Sequence, residues 1–472
     1  MFEWLKNSFN IITELYTLYK INSILTQLQS SSTLSPNQPI LLASLKSYIL
    51  NGGSLYIKFA QWYISRLRYN TNPNTIALVE YMTDLFENCP SHSLEYTCDI
   101  YAKTRNHPLS DYIDMSSLTE IASGSIGTVY KARELNTGNM IAIKIRHPNI
   151  EHEIAKKYSI INMLKRIQSI HYFRHKYNLC FDLNDFLNGI YKQIDLTNEA
   201  ANNRQMAQLH KNNPVICIPN VLFANENILI SEYIETIEVD SLSEYNRNII
   251  AVNLVCLLYQ MLLIDNFIHG DLHYKNWKIK QIFINDRMLY QIVLFDMGIC
   301  FNIDDINMSR DFWDALENND IDSIINIIQK LCFNTNYNEY NTKNILNDDL
   351  IIKLKELIND VNANNINSVN VLRCVVDFFN THELNIHPFI INLLILICLV
   401  EQFLKQNNYM KSDTSFQNMF DIIKSNRLDI ITYCKCNNTY LEVAKLIKNK
   451  IKFMAKNNIS TSKISLNLSN PE

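Results

Sequence analysis

The chain is poor in glycine and proline, and it has no apolar run long enough to cross a bilayer. Only 8 Gly and 10 Pro occur among its 472 residues, so the position of each glycine is informative. The longest apolar runs, 254–264 and 389–400, are each interrupted by a polar residue and fall short of the roughly 20 residues that a membrane-spanning helix needs. We therefore expect two buried helices here and no transmembrane helix.

Charge and cysteine usage limit the expected partners and compartment. Charged residues make up 19% of the chain, the net charge is −4 and no long basic stripe occurs, so nucleic acid is not an expected partner. The 11 cysteines form no CxxC pair, which favours free thiols in an intracellular, reducing compartment. The first 20 residues lack the features of a signal peptide. Their apolar face is expected to pack on the core, with peripheral membrane contact as the alternative.

Hydrophobic periodicity divides the chain into a helical part, a strand-rich part and a second helical part. We predict a helical extension over 1–112, an N-lobe over 113–236, a helical C-lobe over 237–460 and a disordered tail over 461–472. A sheet, then a connecting strand, then a helical region is the element order of a protein kinase. The expected fold class is therefore α+β, a two-lobed protein-kinase-like fold.

Within this frame, Gly127–Glu134 and Met140–Arg146 are predicted to form a hairpin whose turn needs Gly138 at positive φ. One long helix is predicted over Leu183–Leu209. The other predicted elements are strands at Leu118–Ala122, near Val221 and at Ile228–Tyr233, helices over Glu151–Ile170 and about Asn246–Asn266, a hairpin of Trp277–Ile284 with Leu289–Phe295, and a helical tail.

A cluster of small residues lies between the first two predicted strands. Residues 123–127 read Ser-Gly-Ser-Ile-Gly. Such a loop lets backbone N–H groups face phosphate oxygens, although most Gly/Ser turns are only turns. The candidate nucleotide-binding residues in it are Ser123, Gly124, Ser125 and Gly127.

The strand after this loop carries a lysine on the face opposite to its isoleucines. Lys144 alternates with Ile143 and Ile145, a position from which it can reach nucleotide α/β-phosphates. An ordinary solvated lysine is the alternative interpretation. A binding lysine needs a carboxylate partner, and Asp195 and Glu199 lie i, i+4 on the predicted helix. We expect Glu199 to pair with Lys144.

Two acidic motifs follow. Residues 269–276 read His-Gly-Asp-Leu-His-Tyr-Lys-Asn, with Asp271 and Asn276 at the spacing of a kinase catalytic loop. Asp271 would act on the attacking group, and Asn276 would bind Mg²⁺. Asp296 ends an apolar strand and precedes Met-Gly, the position of the main Mg²⁺ ligand in kinases. Each motif alone has ordinary explanations, but their order predicts ATP and Mg²⁺ as cofactors.

At this point the sequence resembles the UbiB/AarF/ADCK family of atypical kinases, over about residues 50–330. The similar stretches are 125–132 (Ser-Ile-Gly-Thr-Val-Tyr-Lys-Ala), 142–150 (Ala-Ile-Lys-Ile-Arg-His-Pro-Asn-Ile), 198–202 (Asn-Glu-Ala-Ala-Asn) and 52–61 (Gly-Gly-Ser-Leu-Tyr-Ile-Lys-Phe-Ala-Gln). The last resembles the family's Lys-x-Gly-Gln element, which packs over the active site and blocks access by protein substrates. The resemblance implies regulatory roles for Lys58 and Gln61, expected on a helix against the nucleotide cleft.

The resemblance also implies a regulatory role for Asp195, the retained acid of the family's Glu-x-Asp motif. The departures from the family pattern concern nucleotide preference and autoinhibition: Ala60 for Gly, Gln193 for the first acid, Ala-Ser-Gly-Ser at 122–125 for the Ala-rich loop, Leu272 and Tyr274 for prolines, and Lys275 for Gly.

No Ala-Pro-Glu follows Asp296, and a helix is predicted near 311–316, so we find no platform for a peptide substrate. The expected activity is phosphoryl transfer to a small molecule or lipid, or ATP hydrolysis. The family is linked to isoprenoid-lipid metabolism near membranes, and this remains an implication of the resemblance. Two alternatives stay open: a small-molecule phosphotransferase of the aminoglycoside/choline-kinase type, and a catalytically silent pseudokinase scaffold.

Overall fold

The computed structural model of the chain describes two compact units. Unit 1 comprises residues 1–176, 183–203 and 219–234, and unit 2 comprises 177–182, 204–218 and 235–472. The residues described are 2–30, 37–67, 73–86, 89–155, 157, 183–211, 213, 215–261, 265–272, 275–284, 287–302, 311, 315, 320–334, 347–363, 374–375, 377–379, 381–382 and 384–386.

Unit 1 begins with a helical extension. Its helices are α1 (Phe2–Ser30), α2 (Gln38–Asn51), α3 (Ser54–Leu67) and α4 (Pro73–Met82), followed by a 3₁₀ turn at Thr83–Phe86. Apolar residues spaced along these helices bury one another, among them Leu28, Leu45, Ile64, Met82 and Leu85. The extension therefore has a hydrophobic core of its own.

The rest of unit 1 is built on a five-stranded antiparallel sheet of order β1-β2-β3-β6-β5. Its strands are β1 (Ile113–Ser123), β2 (Gly127–Glu134), β3 (Met140–Arg146), β5 (Val221–Ala224) and β6 (Ile228–Glu232). Helix α5 (Leu94–Arg105) packs on the sheet through Tyr101, which is fully buried. The predicted bounds of β2 and β3 are confirmed, and Gly138 in their turn has φ +70°.

The predicted helix over 183–209 is wrong in one respect, because it is two helices, α6 (Leu183–Ile194) and α7 (Leu196–Leu209). Asp195 lies between them. Its Oδ1 accepts hydrogen bonds from Thr197 N at 2.9 Å and Thr197 Oγ1 at 2.7 Å. An aspartate that accepts from a backbone N–H of the first turn stabilises a helix start, so the chain restarts its helix here.

Unit 2 contains α8 (Glu244–Gln260), α9 (Ile321–Leu331) and α10 (Asp348–Ala363). A three-stranded sheet of order β4-β9-β8 supports its loops. The strands of unit 2 are β4 (Ile216–Cys217), β7 (Phe267–His269), β8 (Trp277–Ile284), β9 (Arg287–Leu294), β10 (Cys300–Asn302), β11 (Cys332–Asn334) and β12 (Leu384–Ile386). Strands β7 and β10 pair with each other, as do β11 and β12.

Several predictions lie outside the described residues: most of the helices at 151–170 and 311–316, the helical tail beyond Ile386 and the disordered end at 461–472. The units also divide the chain differently from the predicted domains. The extension and the five-stranded sheet share unit 1, and 204–218 belong to unit 2. No helix within the described part of the chain has the length and hydropathy to cross a membrane.

Candidate active site

Residues 123–127 of unit 1, called the Gly/Ser loop below, form a tight turn between β1 and β2. Gly124 N donates to Gly127 O at 3.0 Å, and the side chains of Ser123 and Ser125 are buried. A Cβ on Gly127 would collide with the backbone carbonyl oxygen of Ile145 on β3. Glycine at 127 therefore lets the loop lie directly against the strand that carries Lys144.

Lys144 and Glu199 form an ion pair within unit 1. Lys144 Nζ lies 2.7 Å from Glu199 Oε2 and 3.0 Å from Oε1, and the two side chains are 16% and 7% exposed. Ile143 and Ile145 point into the core, so the alternation of β3 leaves Lys144 on the other face. The lysine is thus an oriented cation held by a buried carboxylate, while Asp195 caps the helix start instead.

The extension reaches the Gly/Ser loop through Gln61. Ser125 Oγ donates to Gln61 Oε1 at 3.2 Å, and Gln61 Nε2 donates to Leu85 O at 2.7 Å. Gln61 is buried, whereas Lys58, one turn earlier on α3, is half-buried. The structure therefore brings Gln61 to a candidate nucleotide-binding residue.

A second contact, absent from the sequence predictions, ties the start of α3 to the helical residues after β3. Lys157 Nζ donates to Gly52 O, and it lies 3.7 Å from Glu14 Oε1. Tyr56 Oη donates to Glu14 Oε2 at 2.7 Å, and the Lys157 ammonium lies 4.6 Å from the Tyr56 ring centre. Burial, with the Glu14 contact, raises the pKa of Tyr56. A lysine that contacts a residue 105 positions earlier leaves no local pattern to find.

In unit 2, His269 organises the segment that carries Asp271. Its Nδ1 accepts from Asp271 N at 3.2 Å, so Nε2 carries the proton and donates to Phe295 O at 3.0 Å. Gly270 N also donates to Ile299 O at 2.8 Å. In the sequence His269 stands out only as part of its motif, yet this side chain joins the Asp271 segment to the residue before Asp296.

Asn276 and Asp296 offer oxygen donors in the same unit. Asn276 Nδ2 donates to Asp271 O at 2.8 Å, so the amide oxygen is the atom of this side chain that would bind a cation. Phe295 N donates to Asn276 O at 2.8 Å, which places Asp296 directly after a residue bonded to Asn276. Asp296 is exposed and has φ +50°. One carboxylate and one amide oxygen suit Mg²⁺, which keeps several waters and takes few protein ligands.

The described residues contain no group of three or more His, Cys, Asp or Glu side chains that could hold a metal ion. A magnesium site of one Asp and one Asn is of a different kind and does not need such a group.

These elements define a class of protein. One unit has an antiparallel sheet whose third strand carries a lysine paired with a helix glutamate. The other has an Asp-x₄-Asn loop and a strand-end Asp-Met-Gly. The features of both units are typical of the protein-kinase-like fold.

A family model described as the ABC1 atypical kinase-like domain matches residues 84–328, a little more than half of the chain. The chain belongs to this family. The resemblance to the UbiB/ADCK group and the α+β kinase-like fold class are therefore confirmed.

Individual relatives are distant. A probable serine/threonine-protein kinase abkC of Dictyostelium discoideum is 27% identical over 236 residues, covering 47% of this chain and 32% of that protein. A probable protein kinase UbiB of Pseudomonas fluorescens is 24% identical over 278 residues, covering 56% and 50%. The chain thus spans half or less of the length of these relatives.

Among solved structures, a complex of Rv3197 with erythromycin from Mycobacterium tuberculosis has a TM-score of 0.38 and 19% identity, covering 52% of this chain and 62% of that one. The Rio2 kinase of Chaetomium thermophilum, in a complex with ADP, Mg²⁺ and phosphoaspartate, has a TM-score of 0.29 and 10% identity, covering 63% and 85%.

Proposed function

We propose that the chain binds Mg²⁺-ATP and either transfers the terminal phosphoryl group to a small molecule or lipid or hydrolyses ATP. The observation that carries the proposal is the buried Lys144–Glu199 ion pair in a chain that also retains Asp271, Asn276 and Asp296. Burying a charged pair is costly, and a protein without a use for an oriented lysine gains little from it.

The residues of unit 1 act on the phosphates in this proposal. Glu199 fixes the Lys144 ammonium, so the lysine offers a positioned positive charge to α/β-phosphate oxygens. The Gly/Ser loop at 123–127 contributes backbone N–H groups and small side chains. The contact between Gln61 and Ser125 makes α3 a regulator of this loop, since any displacement of the loop must break that hydrogen bond.

The residues of unit 2 act on the metal and the attacking group. Asn276 and Asp296 would hold Mg²⁺ through their side-chain oxygens. Mg²⁺-ATP supplies the transferable phosphoryl group and the cation that offsets its charge. Asp271 orients the attacking hydroxyl or water and accepts its proton. His269 keeps the Asp271 backbone in place through Nδ1.

The sequence after Asp296 has no Ala-Pro-Glu, which supports a small acceptor over a peptide. Membership of the ABC1 family favours this activity over an aminoglycoside/choline-kinase-like one. A silent scaffold is the remaining alternative, and it predicts no effect of nucleotide.

The test is thermal unfolding with Mg²⁺-ATP, Mg²⁺-ADP and each nucleotide in EDTA. A ligand at 100 times its Kd stabilises the folded state by about 2.7 kcal/mol, which is a measurable rise in Tm. We expect a rise that requires Mg²⁺ and that falls in Asp296→Asn. A folded parent protein whose Tm does not respond to either nucleotide would support the scaffold.

A further inference from the structure

Two histidines from separate segments of unit 1 meet beside the Gly/Ser loop. His92 Nδ1 lies 2.9 Å from His147 Nδ1, and His147 Nε2 lies 2.9 Å from Gly124 O. At the other end of the chain of contacts, His92 Nε2 lies 2.9 Å from Thr97 Oγ1. The rings of the two histidines meet edge to face, with centroids 5.1 Å apart. A continuous line of polar contacts thus runs from α5 to the loop.

The Gly124 carbonyl at one end of this line determines the proton position on His147. Gly124 O can only accept, so His147 Nε2 must carry a proton. In the neutral ring, His147 Nδ1 then accepts, which requires His92 Nδ1 to donate to it. At the far end His92 Nε2 lies beside Thr97 Oγ1, which donates to Tyr130 Oη at 3.2 Å. Burial lowers the pKa of His92 to about 4 and also lowers that of His147, so both rings are neutral at pH 7.

His147 also connects the loop to the lysine strand. It follows β3 directly, and its backbone N donates to Ile126 O at 2.8 Å while its side chain bonds to Gly124 O. One residue therefore contacts the loop at two carbonyls. Lys144 lies three positions before His147, so these two bonds add to the β2–β3 pairing in holding the loop near the lysine.

We infer that His147, backed by His92, is a positioning residue for the phosphate-binding loop. This inference rests on the proposed function, since positioning matters only if the loop binds phosphate. His147 touches no phosphate-bearing group itself in this assignment. It acts through the carbonyl of Gly124, and His92 acts one step further back by presenting an Nδ1 proton to His147.

The test compares His147→Gln with His147→Asn. The amide of glutamine reaches the position of the histidine Nε2 and can still donate to Gly124 O. The amide of asparagine occupies the position of Nδ1, so it can meet His92 but loses the loop. Two readouts are needed: hydrogen exchange of the amides at 123–128 in protein without nucleotide, and titration with Mg²⁺-ATP.

We expect His147→Asn to exchange its loop amides several times faster than the parent, with the change confined to the loop. Its Mg²⁺-ATP affinity should fall about threefold to tenfold, the effect of losing one neutral hydrogen bond. His147→Gln should resemble the parent in both readouts. Rescue by glutamine is the feature that a role in ring packing alone would not produce, because both amides lack the ring.

Parent-like behaviour of His147→Asn in both readouts would overturn the inference. The inference would also fail if the Gln and Asn variants lost Mg²⁺-ATP affinity equally and exchanged amides faster throughout unit 1, because that result indicates a role of the ring in packing. If the parent itself does not bind Mg²⁺-ATP, the proposed function fails, and the exchange of 123–128 alone decides whether His147 positions the loop. His92→Ala serves as a second variant, with a smaller effect of the same kind expected.

Discussion

The two groups of candidate site residues are held in different ways. In unit 1, side chains far apart in sequence hold each other: Ser125 meets Gln61 across 64 positions, and Lys144 meets Glu199 across 55. In unit 2, the Asp271 and Asp296 segments are joined largely through the backbone, by the pairing of β7 with β10 and by the His269 bridge to Phe295 O. Asp296 is exposed, whereas Glu199 is buried.

This difference predicts which properties can be separated by mutation. A side chain that is both a structural partner and a ligand-binding group cannot be changed without altering stability and binding together. Where other groups hold the backbone of an aspartate, its carboxylate can be neutralised by mutation without loss of the fold. We therefore expect binding and stability to be coupled in unit 1 and chemistry to be separable from stability in unit 2.

The largest expected effect is on turnover in unit 2. Asp271→Asn keeps the backbone bonds to His269 and Asn276 but removes the group that orients or deprotonates the nucleophile. ATP turnover should fall about 10²–10⁴-fold, the contribution of general-base chemistry, while Tm and nucleotide affinity stay near those of the parent. ATPase assay and nucleotide titration measure the two properties separately.

The matched variants for this experiment are Asp296→Asn and Asp240→Asn. Asp296→Asn should lose metal-dependent nucleotide binding as well as turnover, because the carboxylate charge is what attracts the dication. Asp240 is an exposed acid of the same unit outside the motifs, and its replacement should change nothing. Full turnover in Asp271→Asn would show that the catalytic-loop assignment is wrong.

The next effect in size is on the stability of unit 1. Glu199→Ala leaves the mostly buried Lys144 ammonium without its carboxylate, and removing one partner of a buried ion pair costs about 3–5 kcal/mol. Nucleotide affinity should fall in the same variant because the lysine loses its orientation. Denaturant unfolding and nucleotide titration test the coupling, with the exposed Glu226→Ala as control. If Glu199→Ala lost nucleotide affinity while its free energy of unfolding stayed unchanged, binding and stability would not be coupled in unit 1.

The sequence predicted the parts of the site whose geometry follows from local periodicity. Strict alternation along β3 put Lys144 opposite Ile143 and Ile145, and the glycine at 138 marked a turn with positive φ. The fold class also followed from element order. The break at Asp195 was not predicted, because the helical period continues through it and only the hydrogen bond from Thr197 N distinguishes a cap from a helix interior.

Contacts that depend on distant residues could not be predicted. His147 bonds to Gly124 O, and Lys157 bonds to Gly52 O, yet neither position differs from an ordinary polar residue in the sequence. Strands of two or three residues, such as β4, β7 and β10, are too short to show a period. The roles of the candidate site residues in binding and catalysis remain predictions.

A smaller effect is expected at the junction of α3 with the loop. Gln61→Ala leaves the Ser125 hydroxyl and the Leu85 carbonyl without this partner, which should cost about 1–3 kcal/mol in unfolding free energy. If α3 restrains the loop, exchange of the amides at 123–128 should increase and ATP turnover should rise. The exposed Gln27→Ala is the control. Turnover that falls in proportion to stability would contradict a restraining role.

A buried His–Asp pair among the described residues of unit 2 can sharpen the comparison. His210 Nε2 and Asp265 Oδ2 lie 3.7 Å apart, too far for a hydrogen bond, and neither atom has a hydrogen-bond partner among the described residues. Asn213 Nδ2 lies 3.2 Å from His210 Nδ1, and Gln260 Nε2 donates to Asp265 Oδ1 at 3.4 Å. Burial lowers the pKa of His210 to about 4 and raises the pKa of Asp265 to about 7. Both groups are therefore mainly neutral near pH 5.5.

The two groups should make opposite contributions to the pH dependence of stability. Between about pH 4 and 6.5 the unfolded state binds more protons at His210 than the folded state does, so His210 makes the free energy of unfolding rise with pH. Between about pH 4 and 7 the folded state binds more protons at Asp265, so Asp265 makes the free energy of unfolding fall with pH. The parent should be nearly flat over the shared window. In Asp265→Asn the free energy of unfolding should rise by about 1 kcal/mol from pH 5.5 to 6.5, because only the His210 contribution remains. In His210→Gln it should fall by a similar amount over the same range. Denaturant unfolding at pH 4.5, 5.5, 6.5 and 7.5 measures both slopes. If instead the pair is ionised, Asp265→Asn removes one partner of a buried ion pair and is about 3–5 kcal/mol less stable than the parent already at pH 5.5, where a neutral pair predicts little change.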